Sequence, residues 1–115
     1  MAKQRVADGG ADPVTQRLVK AIGSDNLAAL LGVAAGSPGR WANGQDTPSE
    51  AVRLQLAEID QLVDQLLTAL TPAQARLWLV GQNIHLRGRP IDLYRLEGAT
   101  PLIDALRAHQ EGAAS

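Results

Sequence analysis

Few residue types in this chain could do chemistry: two histidines, twelve carboxylates, eleven lysines and arginines, and no cysteine. A covalent mechanism needs a nucleophile with a base in reach. His85 and His109 lie far apart, however, and Ser24, Ser37, Ser49 and Ser115 fall in turn, cap or terminal contexts. No cluster of histidines and carboxylates has metal-ligand spacing. The inventory reads as that of a non-enzyme needing no metal and no cofactor. Recognition is the remaining chemistry. Residues 78–93 mix strong helix formers with chain breaks at Gly81, Gly88 and Pro90, and carry polar groups that a helical core would not need. Such a segment suits being bound by something else.

The elements that must position it are helical by composition. Leu and Ala supply 36 of the 115 residues, whereas Val, Ile and Thr together supply 17 and Phe none, so local preference runs toward helix and away from sheet. The length fits one domain with a single apolar core, and the expected class is all-α. A net charge of −1 creates no overall positive field toward a phosphate backbone or an anionic membrane, so any nucleic-acid contact must come from a local patch. Absence of cysteine fits a reducing cytoplasm. Residues 1–13 lack the apolar run of a signal peptide, and no stretch has the length needed to cross a bilayer. A cytoplasmic protein is the expectation.

Residues 1–12 are expected to be a disordered arm, because they hold too little apolar surface to offset ordering. Three Thr-Pro pairs, at Thr47 and Pro48, Thr71 and Pro72, and Thr100 and Pro101, then punctuate the chain. A Thr hydroxyl accepts from free amides of a first turn, and Pro at the first helical position loses no hydrogen bond. Glu50 and Gln74 complete a capping box in the first two cases. Each pair is read as the start of a helix. Over residues 50–70, Val52, Leu56, Ile59, Val63, Leu66 and Leu70 alternate steps of four and three, and Leu62 and Leu67 widen the stripe. This long central amphipathic helix suits a core element; its seam also suits pairing between two copies in a homodimer.

Residues 13–49 place Leu18, Val19 and Ile22 on one short helix stopped by Gly23. A second helix over residues 26–31 is capped by Ser24 or Asp25 and followed by the Gly32 turn and Arg40, Trp41 and Asn43. This pattern resembles the helix-turn-helix of Xre-type, Cro/repressor-like DNA-binding proteins. Pro38 and Gly39 shorten the reading helix to about six residues, leaving Arg40 and Asn43, with Gln45, for base edges and Arg17 and Lys20 for phosphates. So few contacts imply weak, salt-sensitive operator DNA binding unless copies multiply it. The same helices could instead serve packing or pairing alone.

In residues 71–115 short helices are expected over 72–80, 90–96 and from Thr100 and Pro101 onward, with one helical turn over 83–86 between the first two. The residues Trp78 and Leu79, then Asn83, Leu86, Gly88, Pro90, Asp92, Leu93 and Gly98 with a final amphipathic helix resemble the toxin-binding region of the Xre/MbcA/ParS antitoxin family. That resemblance implies a type II bacterial antitoxin. Its partner would be a RES-domain toxin that consumes NAD, whose active-site cleft the antitoxin covers, and the hetero-oligomeric complex would repress its own promoter. Most motif residues are read as structural: Trp78 and Leu79 in the core, Gly88 and Gly98 in turns, Asp92 as a cap. The toxin contacts expected are the long side chains Arg87, Arg89, Tyr94, Arg95 and Arg107, since Arg and Tyr favour interface centres. Residues 108–115 read as a small flexible tail, in which Glu111 and the Ser115 carboxylate could plug a cleft built for a pyrophosphate or simply fray. The competing function is a helix-turn-helix transcriptional regulator whose second half only dimerises.

Overall fold

The computed structural model describes residues 12–114. Among them lie seven helices and no strand: α1 (Pro13–Ile22), α2 (Ser24–Leu31), α3 (Ser37–Asn43), α4 (Glu50–Ala69), α5 (Pro72–Val80), α6 (Pro90–Glu97) and α7 (Thr100–Ala114). The all-helical class expected from composition is what is found. None of these helices is long and apolar enough to cross a membrane.

The central helix forms where its three-four spacing places it. Leu56, Ile59, Leu62, Val63 and Leu66 of α4 are buried, and each such side chain contributes about 1.5–3 kcal/mol by leaving water. Leu62 joins the stripe as expected, but Leu67 remains 37% exposed. Against this stripe pack α1, α2, α5 and α7, while α2 also meets α6 and α1 also meets α5. One apolar core therefore runs from Leu18 to Leu106 through both halves. Arg76 of α5 strengthens the junction by donating to the carbonyls of Lys20 at 2.9 Å and Ala21 at 3.1 Å. These belong to the last turn of α1, whose carbonyls lack intrahelical partners.

Helix starts depart from expectation at three places. Asp12 is not part of a frayed arm: its carboxylate accepts from the Thr15 amide at 3.1 Å and from the Thr15 hydroxyl, and its amide donates to the Trp41 carbonyl at 3.1 Å. Residues 1–11 of the expected arm lie outside the described residues. Helix α2 begins after Gly23 with no side-chain cap, so neither Ser24 nor Asp25 caps it. At α4 the cap is Ser49, whose hydroxyl accepts from the Val52 amide at 3.2 Å. Thr47 lies one residue too far out, because Pro48 stays outside the helix as a buried residue. Helix α7 includes Thr100 as its first residue, with the Ala99 carbonyl accepting from Ile103 at 3.0 Å. The Thr71 and Pro72 pair opens its helix as read, with a complete capping box to Gln74, and the last helix begins at Thr100 and Pro101 as read.

The tail also differs. Helix α7 continues through Gly112 to Ala114, so residues 108–114 are helical where a structureless tail was expected. Ala is the best helix former, and one Gly costs about 1 kcal/mol in a helix that is otherwise favourable. Buried Leu102, Ala105 and Leu106 hold this helix to the core.

Candidate protein-binding site

The capping box fixes the rotation of α5. The Gln74 amide donates to the Thr71 hydroxyl at 3.2 Å and the Thr71 amide to the Gln74 side-chain oxygen at 2.9 Å. With Ala75 and Leu79 fully buried, Leu77 must point to the opposite side, where it is 71% exposed. Trp78 lies between these faces, half-buried against the core, and its indole Nε1 is buried without a hydrogen-bond partner. Beside it is a mostly apolar groove of about 380 Å³ lined by Leu70, Leu77 and Trp78, with Gln74, Gln82 and Asn83 and with His109 from α7. Gly81 and its amide bond to the Leu77 carbonyl end the helix at the groove wall.

After Gly81 the one turn of helix expected over 83–86 is present as an isolated turn, closed by pairing of Asn83 with Gly88. Asn83 organises it. The Asn83 amide donates to the Gly88 carbonyl at 2.9 Å, and the Asn83 carbonyl accepts from Leu86 at 3.1 Å and Arg87 at 2.8 Å. The Asn83 side-chain oxygen accepts from the His85 amide at 2.9 Å. Ile84 on this turn is 85% exposed. Arg87, also exposed, has a left-handed backbone with φ of 57°, whereas Gly88 pairs across the turn with Asn83. The unusual conformation thus falls one residue before the glycine expected to supply the turn.

Tyr94 corrects the sequence reading. It is not an exposed contact residue: the ring is 5% exposed and its hydroxyl donates to Glu58 Oε1 at 2.7 Å. Burial, and next the bond to the Glu58 carboxylate, push the phenol above its ordinary range. Its i+1 neighbour Arg95 is exposed but lies across the end of α2. Together with Gln55, Glu58 and Tyr94 it lines a polar hollow of about 370 Å³. A Cβ at Gly32 would stand 2.9 Å from the Arg95 guanidinium, and Gly32 has φ of +71°. The positive φ is what favours glycine at this position; the Arg95 side chain is exposed and able to shift.

The other expected contacts are scattered as local pairs. Arg89 donates twice to Asp92, at 2.9 and 3.1 Å. This hydrogen bond holds the Asp92 carboxyl below, and the Arg89 guanidinium above, its usual range. Asp92 therefore binds the Arg89 side chain and does not serve as the cap of α6. Arg107 reaches Asp104 at 3.4 Å. Glu111 is exposed on α7, and Ser115 lies outside the described residues. In the first half Arg17 pairs with Asp60 of α4 at 2.8 Å. Arg40 bonds Asp46 at 2.9 Å and Ser37 at 3.1 Å, while Asn43 accepts from the Gln45 amide at 3.1 Å. Lys20 is exposed and its carbonyl is held by Arg76.

Two residues not singled out from sequence, Leu77 and Ile84, are among the most exposed large apolar side chains, together with Leu96 at 79%. A signal for Leu77 was present: it sits half a turn from both Ala75 and Leu79. Among the described residues no group of His, Cys, Asp or Glu could hold a metal ion. Comparison of the chain with family models, curated proteins and solved structures returned no match.

Proposed function

We propose that this chain is the antitoxin of a type II toxin–antitoxin pair, a cytoplasmic binding protein and not an enzyme, that neutralises a RES-domain, NAD-degrading toxin by covering its cleft. The observation that carries this reading is the position of exposed apolar surface. Of six large apolar side chains left exposed among the described residues, Leu77, Val80, Ile84 and Leu96 lie in the half that resembles the toxin-binding region. Of these, Leu77 lines the groove, and an exposed aliphatic at the rim of an apolar groove suits a protein-binding surface. The groove beside Leu77 and Trp78 is the natural seat for a partner's apolar side chains.

Autoregulation belongs to the same proposal, with α2 and α3 as an Xre-like helix-turn-helix. Arg40 beside Asp46 and Arg17 beside Asp60 have much of their charge offset within the chain. Operator binding then depends on several copies held together in a hetero-oligomer with the toxin. Co-expression with the RES-domain product of an adjacent reading frame is the test. The expected result is restored growth, preserved cellular NAD and co-purification of the two proteins. Continued growth arrest without co-purification would overturn the antitoxin reading and leave a regulator in its place.

A further inference from the structure

We infer that the turn closed between Asn83 and Gly88 is the anchor of partner recognition, presenting Ile84 to an apolar pocket and Arg87 to a carboxylate beside it; this assignment rests on the antitoxin reading above. Three observations converge on the turn. Ile84 is 85% exposed, more than any other large apolar side chain described, and a partner pocket is what would take it out of water.

The turn is also set before any partner arrives. Four hydrogen bonds, three to the Asn83 backbone and one to its side chain, close it, so little ordering entropy is lost on binding. Finally, Arg87 is the one described non-glycine residue with a positive φ. Glycine adopts that conformation at no steric cost and stands next in the chain. Arginine at this place sets a long cationic side chain on a backbone that the turn itself fixes.

The chemistry of the partner follows from what the described residues do not supply. Asp92 and Asp104 are engaged by Arg89 and Arg107, and none of the ion pairs among the described residues includes Arg87. A carboxylate is therefore the complement, and an adjacent apolar pocket for Ile84 makes the partner a folded protein. One cation could not hold a phosphate backbone.

The test titrates the full chain into the purified RES-domain protein encoded beside it, by calorimetry, for the parent and three variants. Ile84→Ser and Arg87→Gly are each expected to weaken binding by about tenfold or more. Thermal midpoints should not fall, since Ile84 is exposed and glycine relieves the backbone at 87. Arg87→Lys, keeping the charge, should bind within about threefold of the parent, and added salt should weaken the parent more than Arg87→Gly. A parent that binds while Ile84→Ser and Arg87→Gly bind equally well overturns the anchor alone. Arg87→Lys as weak as Arg87→Gly overturns the carboxylate. A parent that does not bind overturns the antitoxin reading and this assignment together.

Discussion

Helices α1–α3 and helices α5–α7 are similar in size and share a core, yet they treat their surfaces differently. In α1–α3 no large apolar side chain is exposed among the described residues, and the polar groups turn back on the fold. Arg17 reaches Asp60, Arg40 reaches Asp46 and Ser37, and Gln16 donates to the Ala42 carbonyl at 2.8 Å. In α5–α7 Leu77, Val80, Ile84 and Leu96 remain in water and Arg87 has no acidic partner among the ion pairs found. Leaving several large aliphatics exposed in one region carries a solubility cost, and the contrast is what the proposal of partner recognition by the second region rests on.

Substitutions along α5 give the sharpest way to break that contrast. Leu79→Ala, at a fully buried position, should cost about 2–5 kcal/mol in urea unfolding. Leu77→Ala, two residues earlier, should change stability by less than about 0.5 kcal/mol while weakening capture of the proposed toxin partner. Equal losses of stability at both positions would mean that Leu77 belongs to the fold.

A smaller effect is expected at Tyr94. Removing its hydroxyl in Tyr94→Phe should cost about 1 kcal/mol, as expected of a buried residue whose hydroxyl serves the fold. A pH dependence follows. The folded phenol is raised above its ordinary value by burial and by Glu58, whereas an unfolded phenol titrates near pH 10. Above about pH 10 the unfolded chain releases a proton that the folded chain keeps, so stability is fully present below that pH and falls as pH rises through it. Tyr94→Phe should remove this alkaline slope, read from urea midpoints on either side of pH 10. Tyr94 is the chain's one tyrosine, so phenolate absorbance follows it without interference.

The smallest effect belongs to the first region. Arg40→Ala deletes an exposed pair and should shift stability by no more than about 0.5 kcal/mol. If it also leaves operator retention by the proposed complex unchanged in gel shifts at fixed salt, α3 serves packing. A clear loss of retention would restore a reading role to α3 and soften the contrast.

How much of this was legible beforehand depended on the range of the interactions involved. The α4 stripe and the Thr71 and Gln74 capping box rest on neighbours three or four residues apart, and both are visible as spacing. Thr47 misled because Ser49 lies two residues later and offers the same hydroxyl at the position where the helix actually starts. Tyr94 could not be placed from its own surroundings, since its acceptor Glu58 is 36 residues away. The groove unites residues 70–83 with His109 of α7, a grouping created by packing. The left-handed Arg87 is dictated by closure of the turn between Asn83 and Gly88, and its residue type argues against that conformation.

Arg76 carries a consequence for anyone who would rebuild this protein. Its guanidinium on α5 finishes the end of α1, so the two halves are not interchangeable modules. Grafting a different carboxy-terminal half after α4 would strip two acceptors of their donor and uncover the apolar flank of α1. Specificity is better re-engineered by changing outward side chains one at a time than by swapping whole segments between chains.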